Sequence, residues 1–146
     1  GALLAQAEAG ELYHWRATAQ GRLAEIILLD QFSRNIYRDT PRAFAQDGMA
    51  LVLAQEAVAQ GALTQLSTAE QRSFLLMPYM HSESAIVHEV VAPLFQQYAS
   101  AESYEFELKH KAIVDQFGRY PHRNSILGRE SSTKELAFLQ QPGSSF

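Results

Sequence analysis

Apolar residues recur along the chain at the three- and four-residue spacing of amphipathic helices, and no segment shows a strand rhythm of comparable strength. The opening GALLAQAEAGELYHW is apolar and helix-forming from its first residues with no cap ahead of it, so it reads as the closing turns of a helix. A native segment ahead of residue 1 is therefore expected. Thr18 is placed to cap a second helix through GRLAEIILLDQF, whose centre, Leu23 to Leu29, is apolar on nearly every face and predicts the central, buried element. The next helix spans PRAFAQDGMALVLAQEAVAQG, with Phe44, Leu51, Val52 and Val58 expected inward and Gly61 as its terminator. Ser67 with Glu70 forms a capping box for EQRSFLLMPYMHS, which Pro78 should end or kink. In SESAIVHEVVAPLFQQYA, the residues Ile86, Val90, Leu94 and Val87, Val91, Tyr98 fall at helical spacing, with Pro93 as a bend. Phe106, His110, Ile113 and Phe117 line one face of the following helix, which Gly118 closes. Ser132 with Glu135 starts a short last helix before PGSSF.

Six or seven helices joined by short loops predict a single all-α domain over residues 1–146, an irregular array of antiparallel helix pairs with a concave side. At 146 residues such a domain can bury a real core. The formal charge of -4 and the absence of any long basic stripe argue against nucleic acid as a partner. Without cysteine there are no disulfides, thiolate nucleophiles or zinc-thiolate sites. No apolar run reaches membrane-spanning length and no signal peptide is visible, so no membrane contact and a cytoplasmic location are expected.

What changes the picture is where the arginines lie. Nine of the 12 basic residues are arginine, and six of those nine fall within residues 34–42 and 119–129. In the first stretch, DQFSRNIYRDTPRAF, Thr40 reads as an N-cap with Pro41 at the first helical position. That makes Arg34 to Asp39 a connecting loop and Arg42 the opening of a helix, whose free amides would favour an anion beside the guanidinium forks. The same residues also support a purely structural reading, in which Arg34, Arg38 and Arg42 pair with Asp30, Asp39 and Asp47 and pin the helices.

The second stretch, GRYPHRNSILGRES, sets Arg119, His122, Arg123, Asn124 and Arg129 in a long loop after a helix end, the kind of loop that is functional or tightly packed. Between the two lies MHSE, with His81 and Glu83, and His88 seven positions after His81. That spacing does not suit a helical metal motif, and neither metal nor cofactor is expected. His81 suits proton transfer or hydrogen bonding to an anion, whereas His110 on an apolar face reads as a core histidine. Ser33, Ser82 and Ser125 lack the surroundings of a nucleophile.

Together DQFSRNIYRDTPRAF, FLLMPYMHSE, GRYPHRNSILGRES and FLQQPGSSF resemble the bacterial domain-of-unknown-function family 924. The resemblance implies an all-helical, tetratricopeptide-like arrangement and no established reaction. Ser33 departs from it, standing where the family usually has proline, and the family's aromatic-rich N-terminal start is missing.

Three functions are open at this point. In the first, Arg34, Asn35, Arg38, Arg119, Arg123, Asn124 and Arg129 serve a cleft that binds an anionic small molecule or an acidic peptide end. In the second, the chain is an acyl- or phosphoryl-transfer enzyme, with His81 or His122 as general base, Glu83 as a further catalytic candidate and arginines stabilising charge. In the third it is a protein-interaction scaffold whose arginines only brace the array.

Overall fold

A computed structural model describes residues 1–146, and the chain in it is all-helical. The helices are α1 (Ala2–Glu8), α2 (Ala19–Ile27), α3 (Ser33–Ile36), α4 (Asp47–Ala59), α5 (Ala62–Gln65), α6 (Ala69–Met80), α7 (Ala85–Tyr98), α8 (Ala101–Phe117), α9 (Asn124–Leu127) and α10 (Thr133–Leu139). Short 3-10 turns at Tyr13–Ala17, Pro41–Ala43 and Pro121–Arg123 link them. Helix α2 lies at the centre, against α4 and α6, while α6 packs on α7 and α7 on α8. Leu23, Ile26, Leu75, Leu76, Val91 and Phe95 fill the main core between these helices.

Several local rules operate as the sequence predicts. Thr18 caps α2 by accepting the Gly21 N–H, Ser132 and Glu135 form a reciprocal box on α10, and Gly118 ends α8 at φ 72°. Gly21 has a second role, since a Cβ there would stand 1.9 Å from the Trp15 carbonyl oxygen. Other details differ. The cap of α6 is Thr68, which accepts from the Gln71 N–H, while the Gln71 side chain accepts from the Ser67 N–H ahead of the cap, so the box expected of Ser67 and Glu70 does not form. Helix α6 also runs two residues past Pro78 before it ends.

On α4 and α7 many of the large apolar residues expected inward do pack on the main core, namely Leu51, Val58, Val87, Val91, Leu94 and Tyr98. The most buried positions nevertheless include small and polar residues, and some large ones face out. Ala50, Ala54 and Ala57 form the buried seam of α4, which lets neighbouring backbones approach closely, while Val52 points to solvent. On α7 the buried stripe is His88, Val91 and Phe95, and Ile86 and Val90 are exposed. On α8, Glu107 takes the place among buried residues that Phe106 was expected to hold.

Between α2 and α3 the chain does not leave the helical path. Leu28–Phe32 forms a π-helical turn that runs straight into α3, so Arg34 and Asn35 are helical, not loop residues. The wider turn lets Leu28, Leu29 and Asp30 all be buried in succession, which a regular helix on a core surface does not favour. Pro41 opens only the 3-10 turn, with Arg42 inside it, and α4 begins later at Asp47. Ser33 sits just after the π turn, buried, with its hydroxyl lacking any hydrogen-bond partner. Ser33→Ala removes that orphaned group and is expected to stabilise by roughly 1 kcal/mol, a rise of a few degrees in a thermal melt followed by circular dichroism. A lower melting temperature would mean that the hydroxyl is satisfied after all.

Candidate functional site

The π turn aims Asp30 at the end of α6. There His81 Nδ1 lies 2.7 Å from Asp30 Oδ1, while Gln31 Nε2 donates to Oδ2 at 2.7 Å and Arg34 to Oδ1 at 3.1 Å. Burial opposes ionisation of Asp30, but the His81, Arg34 and Gln31 contacts outweigh it and hold the carboxyl below its usual range. An ionised Asp30 accepts the Nδ1 proton of His81, so Nε2 is the ring nitrogen left for another partner. No protein group bonds to that nitrogen, and His81 lines two adjoining clefts.

Arg34 is occupied elsewhere too: its two terminal nitrogens donate to both oxygens of Asp47 at 2.7 and 2.9 Å. Arg123, brought in by the Pro121–Arg123 turn, has a different environment. Its guanidinium lies over the rings of Phe44 at 4.5 Å and Tyr120 at 4.9 Å, and one nitrogen donates to the His81 carbonyl at 3.0 Å. The nearest acids, Asp47 and Glu83, are 3.8 and 3.9 Å from its Nη1, and its buried Nε has no partner. Asp47 gives both oxygens to Arg34, so it compensates Arg123 weakly. Burial, with Arg34 nearby, therefore pulls the Arg123 guanidinium below its usual value despite Asp47 and Glu83.

Three contiguous hollows surround Phe44. The first, about 310 Å³, is walled by Arg34, Arg123, His81, His110 and His122 with Gln31, Met77, Met80, Phe44, Phe106 and Phe146, and no Asp or Glu side chain lines it. A second, about 360 Å³, shares Phe44, His81 and Arg123 but adds Asp47, Ser82 and Glu83. The third, about 390 Å³, shares Arg34, Phe44, His122 and Phe146 and opens toward Arg38 and Asp39. The histidines in the first are not alike. Burial pushes His110 and His122 down to about 4, and His110 Nδ1 donates to the Phe106 carbonyl at 2.7 Å. His122 Nδ1 is buried without a partner.

The two arginine stretches and MHSE thus meet, though not every predicted residue takes part. Arg34, His81, His122 and Arg123 wall the first cavity, Glu83 the second, and the exposed Arg38 stands at the mouth of the third. Arg129 lies behind, bidentate to Glu83 at 2.9 Å, with Asn124 accepting from its Nε at 3.0 Å. Arg119 pairs with Glu135 away from the cavity, and Asn35 is exposed with no side-chain hydrogen bond. Arg42 stacks on Tyr37 at 3.8 Å and approaches Glu8, not Asp39 or Asp47. His110 is the core histidine expected, yet its ring also faces the cavity. Phe146, Met77 and Met80 in the wall lie within FLQQPGSSF and FLLMPYMHSE, yet the sequence does not single them out as site residues, because apolar side chains declare no chemistry, and Glu107 behind the wall lies in no motif.

An all-helical protein with a group of adjoining arginine- and histidine-walled hollows is the class that fold and site define. Residues 1–143 match the family described as bacterial protein of unknown function (DUF924), and the chain belongs to that family. It is similar to the solved structure of a protein of unknown function from Agrobacterium tumefaciens, with 34% identity and a TM-score of 0.89 over 94% of this chain and 77% of that one. No curated protein matches the chain. No helix is long and apolar enough to cross a membrane.

Proposed function

We propose that the cavity binds a small organic anion, a carboxylate or phosphate on a compact body or an acidic peptide end, with Arg123 as its main charge partner. The observation that carries this reading is a wall with two guanidinium groups and no Asp or Glu side chain, in which buried Arg123 keeps Nε and Nη1 free of close acceptors. The aromatic faces of Phe44 and Tyr120 fix the guanidinium plane, so those donors are held in place before a ligand arrives. The apolar remainder of the wall and a volume near the lower end for small-molecule sites suit a compact acid.

Arg123→Lys keeps a charge but loses the planar fork, and is expected to weaken binding of acetate and inorganic phosphate roughly tenfold, about 1.4 kcal/mol, by calorimetric titration. Arg123→Met should abolish it. Equal binding by the methionine variant and the parent would rule the reading out.

The Asp30–His81 pair favours a second reading, an acyl- or phosphoryl-transfer enzyme with His81 Nε2 as general base and Asp30 as its positioning residue. His122 suits that role less well, since a group brought down to about 4 is a weak base at neutral pH. Hydrolysis of p-nitrophenyl acetate or phosphate by the parent, lost in His81→Ala, would support this reading, and identical rates would remove it.

A further inference from the structure

The segment after α10 turns back across the cavity and places the ring of Phe146 in a slot made of other rings. Its centroid lies 3.9 Å from that of His110, 4.3 Å from His122 and 5.1 Å from Tyr120, the last edge-on at 87°. Met77, Met80 and Phe106 line the same cavity. The edge-on contact with Tyr120 has the distance and tilt at which aromatic rings attract one another, the two imidazoles press closer still against the same ring, and thioethers add favourable contacts at a ring edge.

We infer that this slot is a ring subsite, that the ligand is an aryl-bearing acid, and that Phe146 stands in for the ligand's ring and yields the slot when such a ligand binds. The acid half of this inference rests on the reading of Arg123 above, while the ring half stands on the slot alone.

Two features support displacement over a permanent wall. Phe146 is 52% exposed, unlike the fully buried Tyr120 beneath it. Residues 142–146 make no backbone–backbone hydrogen bond, and the segment is held by the Ser144 hydroxyl donating to the Leu139 carbonyl at 3.2 Å. A segment so lightly tied opens at low free-energy cost. Tyr120 then links the two halves, because its ring touches both Phe146 and the Arg123 guanidinium. His110 and His122 are neutral at pH 7, so the slot offers uncharged aromatic faces and leaves the acid group to the arginine side.

The test compares parent and Phe146→Ala with three probes, phenylacetate, acetate and benzyl alcohol, by saturation-transfer NMR and titration. Emptying the slot should raise affinity for phenylacetate and for benzyl alcohol at least tenfold and leave acetate unchanged. Phe146→Trp, which refills the slot, should bind both ring probes no better than the parent. Adding Arg123→Met to Phe146→Ala should remove acetate binding and the preference for phenylacetate over benzyl alcohol. If Phe146→Ala gains nothing for either ring probe, the ring subsite is overturned. If it gains benzyl alcohol while acetate binds to none of the proteins, the ring subsite holds and the aryl-acid assignment falls with the anion reading. Because Phe146 is half exposed, the alanine variant should melt within a few degrees of the parent, which shows that the fold is retained.

Discussion

Replacing Glu107 by alanine is expected to lower the melting temperature by roughly 10–15 °C, whereas glutamine at the same position should cost only a few degrees. The reason lies in a fully buried network between α7 and α8. His88 Nδ1 meets the Glu107 carboxyl oxygens at 3.0 and 2.8 Å, and His88 Nε2 lies 2.7 Å from the Ser82 carbonyl and 3.0 Å from the Tyr120 hydroxyl. The Tyr120 hydroxyl donates its proton to the Met80 carbonyl, so both neighbours of Nε2 can only accept. Nε2 must therefore carry a hydrogen, and one further proton must lie between Nδ1 and Glu107. Wherever that proton sits, the pair is neutral overall. Burial pushes Glu107 up from its usual range, against the pull of His88, which favours sharing. Alanine leaves Nδ1 facing a void, a loss of about 3–5 kcal/mol for a broken buried pair. Glutamine reproduces a protonated carboxyl, donating from its amide to a neutral His88, and is nearly isosteric. If glutamine melts as low as alanine, the proton resides on His88 and the negative charge of Glu107 is essential. The same network fixes Ser82 and Tyr120, so its loss should also loosen the floor of the ring slot.

The sequence made the helical class legible because caps and terminators act locally. Thr18, Ser132 with Glu135, and Gly118 declare helix ends within three residues of the bonds they make. It did not make the packed faces legible. Nothing in the sequence distinguishes Ala50, Ala54 and Ala57 from exposed alanines, because their burial depends on how closely α2 and α6 approach. Likewise Glu25, which accepts two bonds from Arg16, and Glu107 read as solvent-facing charges until their partners are placed.

For the site, the arginine-rich stretches pointed to the right neighbourhood but not to the division of labour within it. Arg34 and Arg123 look equivalent in sequence, each beside an asparagine. In three dimensions Arg34 grips Asp47 with two short bonds, and Arg123 is left with one 3.8 Å approach to the same acid. Asn35 faces solvent, while Asn124 orients Arg129. The helical loop assignment failed at Arg34 because a π turn satisfies backbone groups as a helix does and has no sequence signature of its own.

Acidification from pH 6.5 to 4 should destabilise the protein before its carboxylates titrate, and His110 and His122 are the cause. Burial is the largest influence on both, and it lowers each to about 4. Arg123 adds to the effect on His122, and the other histidines add to that on His110, whose bond to the Phe106 carbonyl opposes it. In the unfolded chain both imidazoles take protons near 6.5, so between 6.5 and 4 the unfolded state binds more protons than the folded one, and stability falls as pH falls. For His110, which is 7% exposed, the loss by pH 4 is on the order of 3 kcal/mol, since two and a half pH decades at about 1.4 kcal/mol each are reduced by the half-protonation of the folded state at that pH. His122 contributes less because solvent reaches part of it. Asp30, Glu83 and Glu135 lie below their usual range, Glu135 at about 2, so they add a further loss only as pH falls below about 4.5, while Glu107 acts in the opposite direction. Urea unfolding at half-unit steps from pH 7.5 to 4 should therefore show a slope that the His110→Gln, His122→Gln double variant largely loses. Equal slopes in the two proteins would assign the acid sensitivity to other groups. An anion in the cavity stabilises the protonated imidazoles, so inorganic phosphate, a monoanion throughout this window, should flatten the parent's slope between pH 5 and 4 and leave the double variant's slope unchanged, which ties this measurement to the charge assigned to the site.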